Sequence, residues 1–157
     1  VGDVPVQPLS PVQAREARDC LARAFADDPV WTAVFPDPGQ RPLRLAELFG
    51  ALVRMHLLGQ RPLTTPEVAG VALWRPPGSR ARLRDTVRSR FAMSRAVAGF
   101  PRDERRRLLA TLRQFEGRRT ALVPEPHWYL ESIGVEPARQ GEGIGTGLVR
   151  CVLDEAD

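Results

Sequence analysis

The residues best suited to chemistry lie late in the sequence, in Gln140-Gly141-Glu142-Gly143-Ile144-Gly145. Glycines at 141, 143, 145 and 147 alternate across a junction. Before it runs an apolar stretch ending in Ile133-Gly134-Val135, and after it Ile144, Leu148 and Val152 recur every fourth residue. That order predicts a strand, a tight turn and a helix. Unpaired N–H groups at a helix start point outward, the helix dipole adds partial positive charge, and glycine lets the backbone approach a phosphate closely. A diphosphate is the natural ligand of such a junction. Two nucleotide motifs fail on spacing. In G-x-G-x-x-G the third glycine falls on Thr146 when counted from Gly141 and on Leu148 when counted from Gly143, and the P-loop needs a lysine, which this chain lacks.

Other residues capable of chemistry carry weaker signals. His56 and His127 are the only histidines and form no zinc-spaced cluster, so no metal is expected and His127 is assigned first to a structural role at a strand end. Asp27 and Asp28 suit either attraction of a cationic amine or capping and turn formation. Trp31, Phe35, Trp74 and Trp128 suit an amine cleft, although large aromatics supply buried area first. Cys20 and Cys151 are too few and too far apart for a disulfide framework and are expected as buried small hydrophobes in a reducing cytoplasm.

The elements that must hold these residues follow from periodicity and punctuation. Val4 to Leu9 predicts an edge strand. Ser10 and Pro11 open a helix that ends at Asp27-Asp28-Pro29. Val30 to Phe35 is an apolar segment before a turn at Pro36 to Gly39. A second helix spans Arg41 to Leu58, with Leu45, Leu48, Phe49, Leu52, Val53 and Leu57 at spacings of three and four. Strands are expected at Leu63 to Thr65 and Val68 to Trp74, around a turn at Pro66-Glu67. Ala81 to Phe115 reads as two helices broken near Gly99-Phe100-Pro101, with Gly117 as C-cap. A loop holding Pro124 and Pro126 leads into a strand from His127 to Val135, a turn at 136–139 and a helix from about Gly143.

Composition sets the class. The chain of 157 residues is 43% hydrophobic and 27% charged, ordinary values for one folded domain. Its formal net charge is +4, and all 23 basic residues are arginine. Arginine suits phosphates through bidentate hydrogen bonds. Acidic residues are interspersed, however, and the run Arg105-Arg106-Arg107 beside Asp103 and Glu104 reads as a solvated helix face. Nucleic-acid binding therefore ranks last. No apolar run approaches the ~20 residues of a bilayer span and no signal-peptide pattern opens the chain. A soluble cytoplasmic protein with no membrane partner is expected.

Gln140-x-x-Gly143-x-Gly145 resembles the [QR]-x-x-G-x-[GA] signature of the GNAT-superfamily N-acetyltransferases. Ala24-Phe25-Ala26-Asp27-Asp28-Pro29 and Trp128-Tyr129-Leu130 further resemble the puromycin N-acetyltransferase-like group. The resemblance implies an α/β (α+β) fold of GNAT type, a mixed, mostly antiparallel sheet flanked by helices, in a single domain over 1–157. It implies acetyl-CoA as cosubstrate and direct attack on its thioester by a primary amine of a small molecule. Backbone at Ile133, Gly134 and Val135 would bind the pantetheine arm, with Gly134 allowing close approach. The turn at Gln140, Gly141, Glu142, Gly143, Ile144, Gly145 and Thr146 would hold the pyrophosphate, and Arg139 would add charge. Tyr129 and Glu131, on one strand face, occupy positions where family members place acid and base groups, and partial desolvation would raise the Glu131 pKa toward neutrality. The resemblance also implies a fifth strand and a tyrosine-bearing segment beyond Asp157, so a C-terminally incomplete fold is expected. The alternative function is a catalytically weak CoA-binding or regulatory module. The partners expected are the amine and, as an open option, a second copy of the chain.

Overall fold

Ser10 sets the first helical segment in place, its backbone N–H donating to Gln13 Oε1 at 3.2 Å. A 3-10 turn, Pro11–Gln13, runs into α1, Ala14–Ala24, whose Ala17, Cys20 and Leu21 are buried. The computed structural model describes residues 4–78, 93–123 and 126–156. Asp28 caps the next element, its Oδ1 accepting from Val30 N at 2.8 Å and Trp31 N at 3.3 Å. The apolar segment after it is thus a short helix, α2, Pro29–Val34. Trp31, Phe35 and Phe49 pack together in the core, so these aromatics supply buried area. Helix α3, Arg41–Leu57, buries the predicted stripe except Leu57, which is half-buried at the helix end, and buries His56 as well.

Four strands follow one another in space as in sequence: β1, Gln7–Pro8; β2, Arg61–Thr64; β3, Gly70–Arg75; and β4, Tyr129–Val135. Every neighbouring pair is antiparallel. The expected first strand shrinks to two residues because Pro5 and Pro8 have no N–H to give to a ladder. Side chains alternate across β3 and so divide the core. Val71 and Leu73 join α1 and α3 on one face, while Ala72 and Trp74 join α5, Ile144–Ala156, on the other. As the spacing predicted, α5 buries Ile144, Leu148 and Val152.

Helix α5 can lie close to the sheet because β3 starts on glycine. A Cβ at Gly70 would sit 2.5 Å from Ile144 Cγ2 and 3.1 Å from Leu148 Cδ1. Ile144 is β-branched and stiff at χ1, so it cannot swing clear. Gly70→Ala is expected to cost about 1–3 kcal/mol through overpacking, read as a lower urea midpoint at unchanged slope.

A helical stretch at 93–98 precedes α4, Arg102–Leu122. Gly117 does not cap this helix, which continues to Leu122. A glycine inside a helix costs only ~1 kcal/mol, and here an ion pair between Glu116 and Arg119 spans it. The expected helix from Ala81 lies outside the described residues as far as 92, as does Pro124 of the loop before β4. Within the run of three arginines only Arg106 is exposed; Arg105 and Arg107 are half-buried, and Arg107 Nε donates to Val34 O at 3.0 Å. Glu104 is buried and takes Arg44 Nε at 2.9 Å. No helix among the described residues is long and apolar enough to cross a membrane.

Candidate active site

The turn between β4 and α5 adopts the backbone that its glycines permit. Gly141 has φ +88° and Gly143 has φ +82°, the left-handed region that side chains with a Cβ rarely enter. A 3-10 turn, Pro137–Arg139, precedes them, and Gln140 Nε2 donates to Val135 O at 3.3 Å, tying the turn to the strand end. The first hydrogen bond of the helix runs from Gly147 N to Gly143 O at 2.9 Å. The amides of Ile144, Gly145 and Thr146 stand ahead of it, as the leading N–H groups of a helix do. They border a depression of about 350 Å³ that Val135, Gln140 and Gly143 also line. An ideal Cβ at Gly141 meets nothing within 4 Å, so the cradle is open.

Two charged residues of this turn neutralise one another. Arg139 Nε lies 2.6 Å from Glu142 Oε2 and its NH1 lies 3.4 Å from Glu67 Oε1. The cradle therefore draws on backbone amides and the helix dipole, with little net side-chain charge.

Strand β4 ends the described sheet, and its register decides which backbone groups are free. Glu136 N donates to Ala69 O at 2.9 Å, and Gly70 pairs with Val135, Val71 with Gly134 and Ala72 with Ile133. In an antiparallel ladder alternate residues turn their N–H and C=O toward the same neighbour. Residues 134 and 136 therefore face β3, while Ile133 and Val135 present their backbone groups to the open edge. These are the two positions for which the resemblance implied backbone bonds to a pantetheine arm. Gly134 has a packing role of its own. A Cβ there would lie 2.9 Å from Ala24 Cβ and 3.0 Å from Leu21 Cδ2, so the glycine admits helix α1.

The register slips by one residue between Leu73 and Trp74: Leu73 pairs with Ser132 but Trp74 pairs with Leu130. Glu131 is the extra residue of this β-bulge, which bends a strand and re-aims a side chain. Below the bulge Ile133 and Val135 pack on the α5 face. At the bulge Glu131 meets His56 of α3 on the opposite face, and Arg75 bridges Glu131 and Tyr129. Tyr129 and Glu131 thus share a face, as expected from their spacing, but not with Ile133 and Val135.

Arg75 Nε lies 2.8 Å from Glu131 Oε2, and His56 Nε2 lies 3.2 Å from the same oxygen. The imidazole contact is close enough for an ion pair but is not aligned as a hydrogen bond. Burial alone would push the Glu131 carboxyl up, as the sequence led us to expect. The pull of His56 and Arg75 outweighs it and holds the carboxyl at about 2, far from the neutral range. Tyr129 sits between two guanidinium groups, Arg75 and Arg119, each 5.3 Å from its ring centroid. Burial and, next, the Glu131 charge raise its hydroxyl pKa, so it stays protonated at neutral pH. His127 packs edge-on to the Tyr129 ring at 6.2 Å. Sequence reasoning missed His56, Arg75 and Arg119. His56 alone left a trace, standing four residues after Leu52 on the apolar stripe of α3, where a polar residue signals a buried partner.

Residues 67–157, which hold β3, β4, the turn and α5, match the Acetyltransferase (GNAT) family. The chain belongs to the GNAT acetyltransferase family. Its fold is that of GNAT acetyltransferases. A crystal structure described as histone acetyltransferase HPA2 and related acetyltransferase, from Corynebacterium glutamicum, matches with a TM-score of 0.64 at 22% identity, over 97% of this chain and 71% of that one. GNAT membership implies acetyl transfer from acetyl-CoA. Two glycines with left-handed backbone, leading helix amides and a free strand edge beside them are the features such a cosubstrate requires, and the residues present fit it.

Proposed function

We propose that this chain is an N-acetyltransferase that moves the acetyl group of acetyl-CoA to a primary amine of a small molecule by direct attack. The observation that carries this reading is the alignment of the cradle at 140–146 with the outward backbone groups of Ile133 and Val135. The amides of the cradle would hold the pyrophosphate, and the strand edge would hold the pantetheine arm. Acetyl-CoA supplies the activated acyl carbon. Glu131 would receive the ammonium proton that must leave before the amine can attack, and Tyr129, protonated, would stand near as donor. The resemblance at 24–29 and 128–130 supports a reading within the puromycin N-acetyltransferase-like group.

A second reading rests on Glu131 itself. A carboxylate clamped by Arg75 and His56 is a poor base, which favours a CoA-binding module with little turnover. Calorimetry with acetyl-CoA, followed by thiol release over a panel of small amines and a lysine-bearing histone peptide, separates the two. Micromolar binding with turnover on a small amine is expected. Binding without turnover on any acceptor would leave the second reading, turnover confined to the peptide would reassign the acceptor, and no binding would remove both readings.

A further inference from the structure

Helix α1 packs on α3, and at the contact α3 carries Gly50, buried in the middle of the helix. A glycine inside a helix weakens it relative to alanine. Here the missing side chain makes room: a Cβ at Gly50 would lie 3.0 Å from Arg18 Cδ of α1 and 3.4 Å from Arg54 Nη1 of α3 itself. Two arginine side chains therefore pass over one point of the α3 surface. The helical stretch at 93–98 adds a third, Arg95, and the three line a hollow of about 630 Å³. Leu43, Ala46 and Glu47 of α3, with Ala96, form most of the rest of its wall. No residue of this hollow lines the cradle beside α5.

Charge in the hollow is only partly compensated. Arg18 gives Nε and Nη2 to Asp19 Oδ1, at 2.8 and 2.7 Å. Glu47 lies 3.6 Å from Arg44 Nη1, a cation outside the hollow. Among the described residues Arg54 and Arg95 face no carboxylate within ion-pair distance. Cations gathered round one hollow repel one another, and a bound anion turns that repulsion into attraction. Beside these charges Leu43 is 53% exposed, and Ala46 and Ala96 are half-buried. A concave site of this volume, with an apolar wall and a few placed charges, is of the kind that holds a small molecule.

We propose that this hollow binds a small organic phosphate monoester, with its phosphate on Arg54 and Arg95 beside Arg18 and its apolar body against Leu43, Ala46 and Ala96. Guanidinium forks match phosphate oxygens, and the three terminal oxygens of a monoester accept from more than one fork at once. Above its second pKa of about 6 the group carries two negative charges, one for each uncompensated arginine. A carboxylate would compensate only one of them. The site is independent of the acetyl-transfer reading, because it shares no residue with the cradle, with Tyr129 or with Glu131.

Calorimetric titration of the full chain with phenyl phosphate, at a pH where the ester is a dianion, tests the assignment, and thermal unfolding of each variant checks its folding. A Kd of about 1 mM or tighter is expected for a ligand of this size. Arg54→Gln and Arg95→Gln each remove one charge-assisted contact from an exposed side chain, and each should weaken binding about tenfold at unchanged stability. Gly50→Ala should leave the fold at least as stable, since alanine favours the helix and the arginine stems are flexible, yet weaken binding because its Cβ moves Arg18 and Arg54. Gly143→Val, which strains and fills the cradle, should leave the affinity unchanged. Benzoate, a monoanion on the same ring, should bind about tenfold more weakly than phenyl phosphate. Inorganic phosphate should also bind more weakly, because it leaves the apolar wall uncovered. Binding lost in Gly143→Val but kept in both glutamine variants would assign the phosphate to the cradle and overturn the proposal. Absence of binding to the unsubstituted protein at ten times the expected Kd would overturn it too, and benzoate bound as tightly as phenyl phosphate would overturn the choice of a dianion.

Discussion

Gly143→Val is expected to weaken acetyl-CoA binding by about 100-fold, equivalent to ~2.7 kcal/mol, while the protein stays folded. Gly143 stands at φ +82° immediately before the first residue of α5 and lines the cradle. A β-branched residue held there costs about 1–3 kcal/mol, which the turn relieves by rotating its peptide planes. That rotation swings the amides away from the positions a diphosphate needs, and the isopropyl group enters the space it would fill. Gly141→Ala puts a smaller group on the same depression. Its φ is +88° and its Cβ meets no protein atom within 4 Å, so it adds a single methyl to the backbone penalty, and a loss of only about tenfold is expected. Calorimetric titration with acetyl-CoA and thermal unfolding, run together, give both answers. Equal affinity for Gly143→Val and the unsubstituted protein would place the pyrophosphate elsewhere.

The cradle was the most legible part of the molecule because its information is local. Glycines at 141 and 143, an apolar strand before them and a four-residue apolar repeat after them each act within one turn of chain. The long helix α3 and strands β2 and β3 were legible for the same reason. Helix α2 was not: six residues are too few to show a period of 3.6, and only the Asp28 cap distinguishes Pro29–Val34 from an irregular apolar segment. Gly117 misled because a glycine that ends a helix and one that sits inside it look alike when the continuing residues are polar.

The surroundings of Glu131 were hidden for a different reason. A β-bulge inserts one residue without altering composition, so the alternation of Tyr129, Glu131, Ile133 and Val135 gave no sign that two of them face α3 and two face α5. His56 and Arg75 reach Glu131 from elements distant in sequence, 75 and 56 residues away, and a pKa shift produced by such partners belongs to tertiary structure. Gly134 shows the same limit. Its place on β4 invited a ligand explanation, while its packing against Ala24 and Leu21 of α1 could be seen only in the fold.

Glu131→Gln is expected to destabilise the protein by ~3 kcal/mol at pH 7, and by less in acid. The Glu131 carboxyl is held at about 2 against an ordinary 4.5, and its side chain is only 18% exposed, so solvent screening is slight. A depressed folded-state pKa means that the unfolded chain binds the proton more readily. The stabilisation is then complete above about pH 4.5 and is lost as pH falls through about 2. At 1.36 kcal/mol per unit, the gap between the unsubstituted protein and the variant should shrink from ~3 kcal/mol at pH 7 to ~1 kcal/mol at pH 3. Comparison of two proteins at each pH cancels the other carboxylates, which titrate in both. Domains are stable by only about 5–15 kcal/mol, so the loss at neutral pH is large enough to move a urea midpoint clearly. Removing one partner of a buried ion pair leaves the other charge unmatched, and Arg75 and His56 are the groups left facing a neutral amide. A gap that stayed constant between pH 7 and pH 3 would mean that Glu131 stabilises the fold by shape and packing, and that the carboxylate charge contributes nothing measurable.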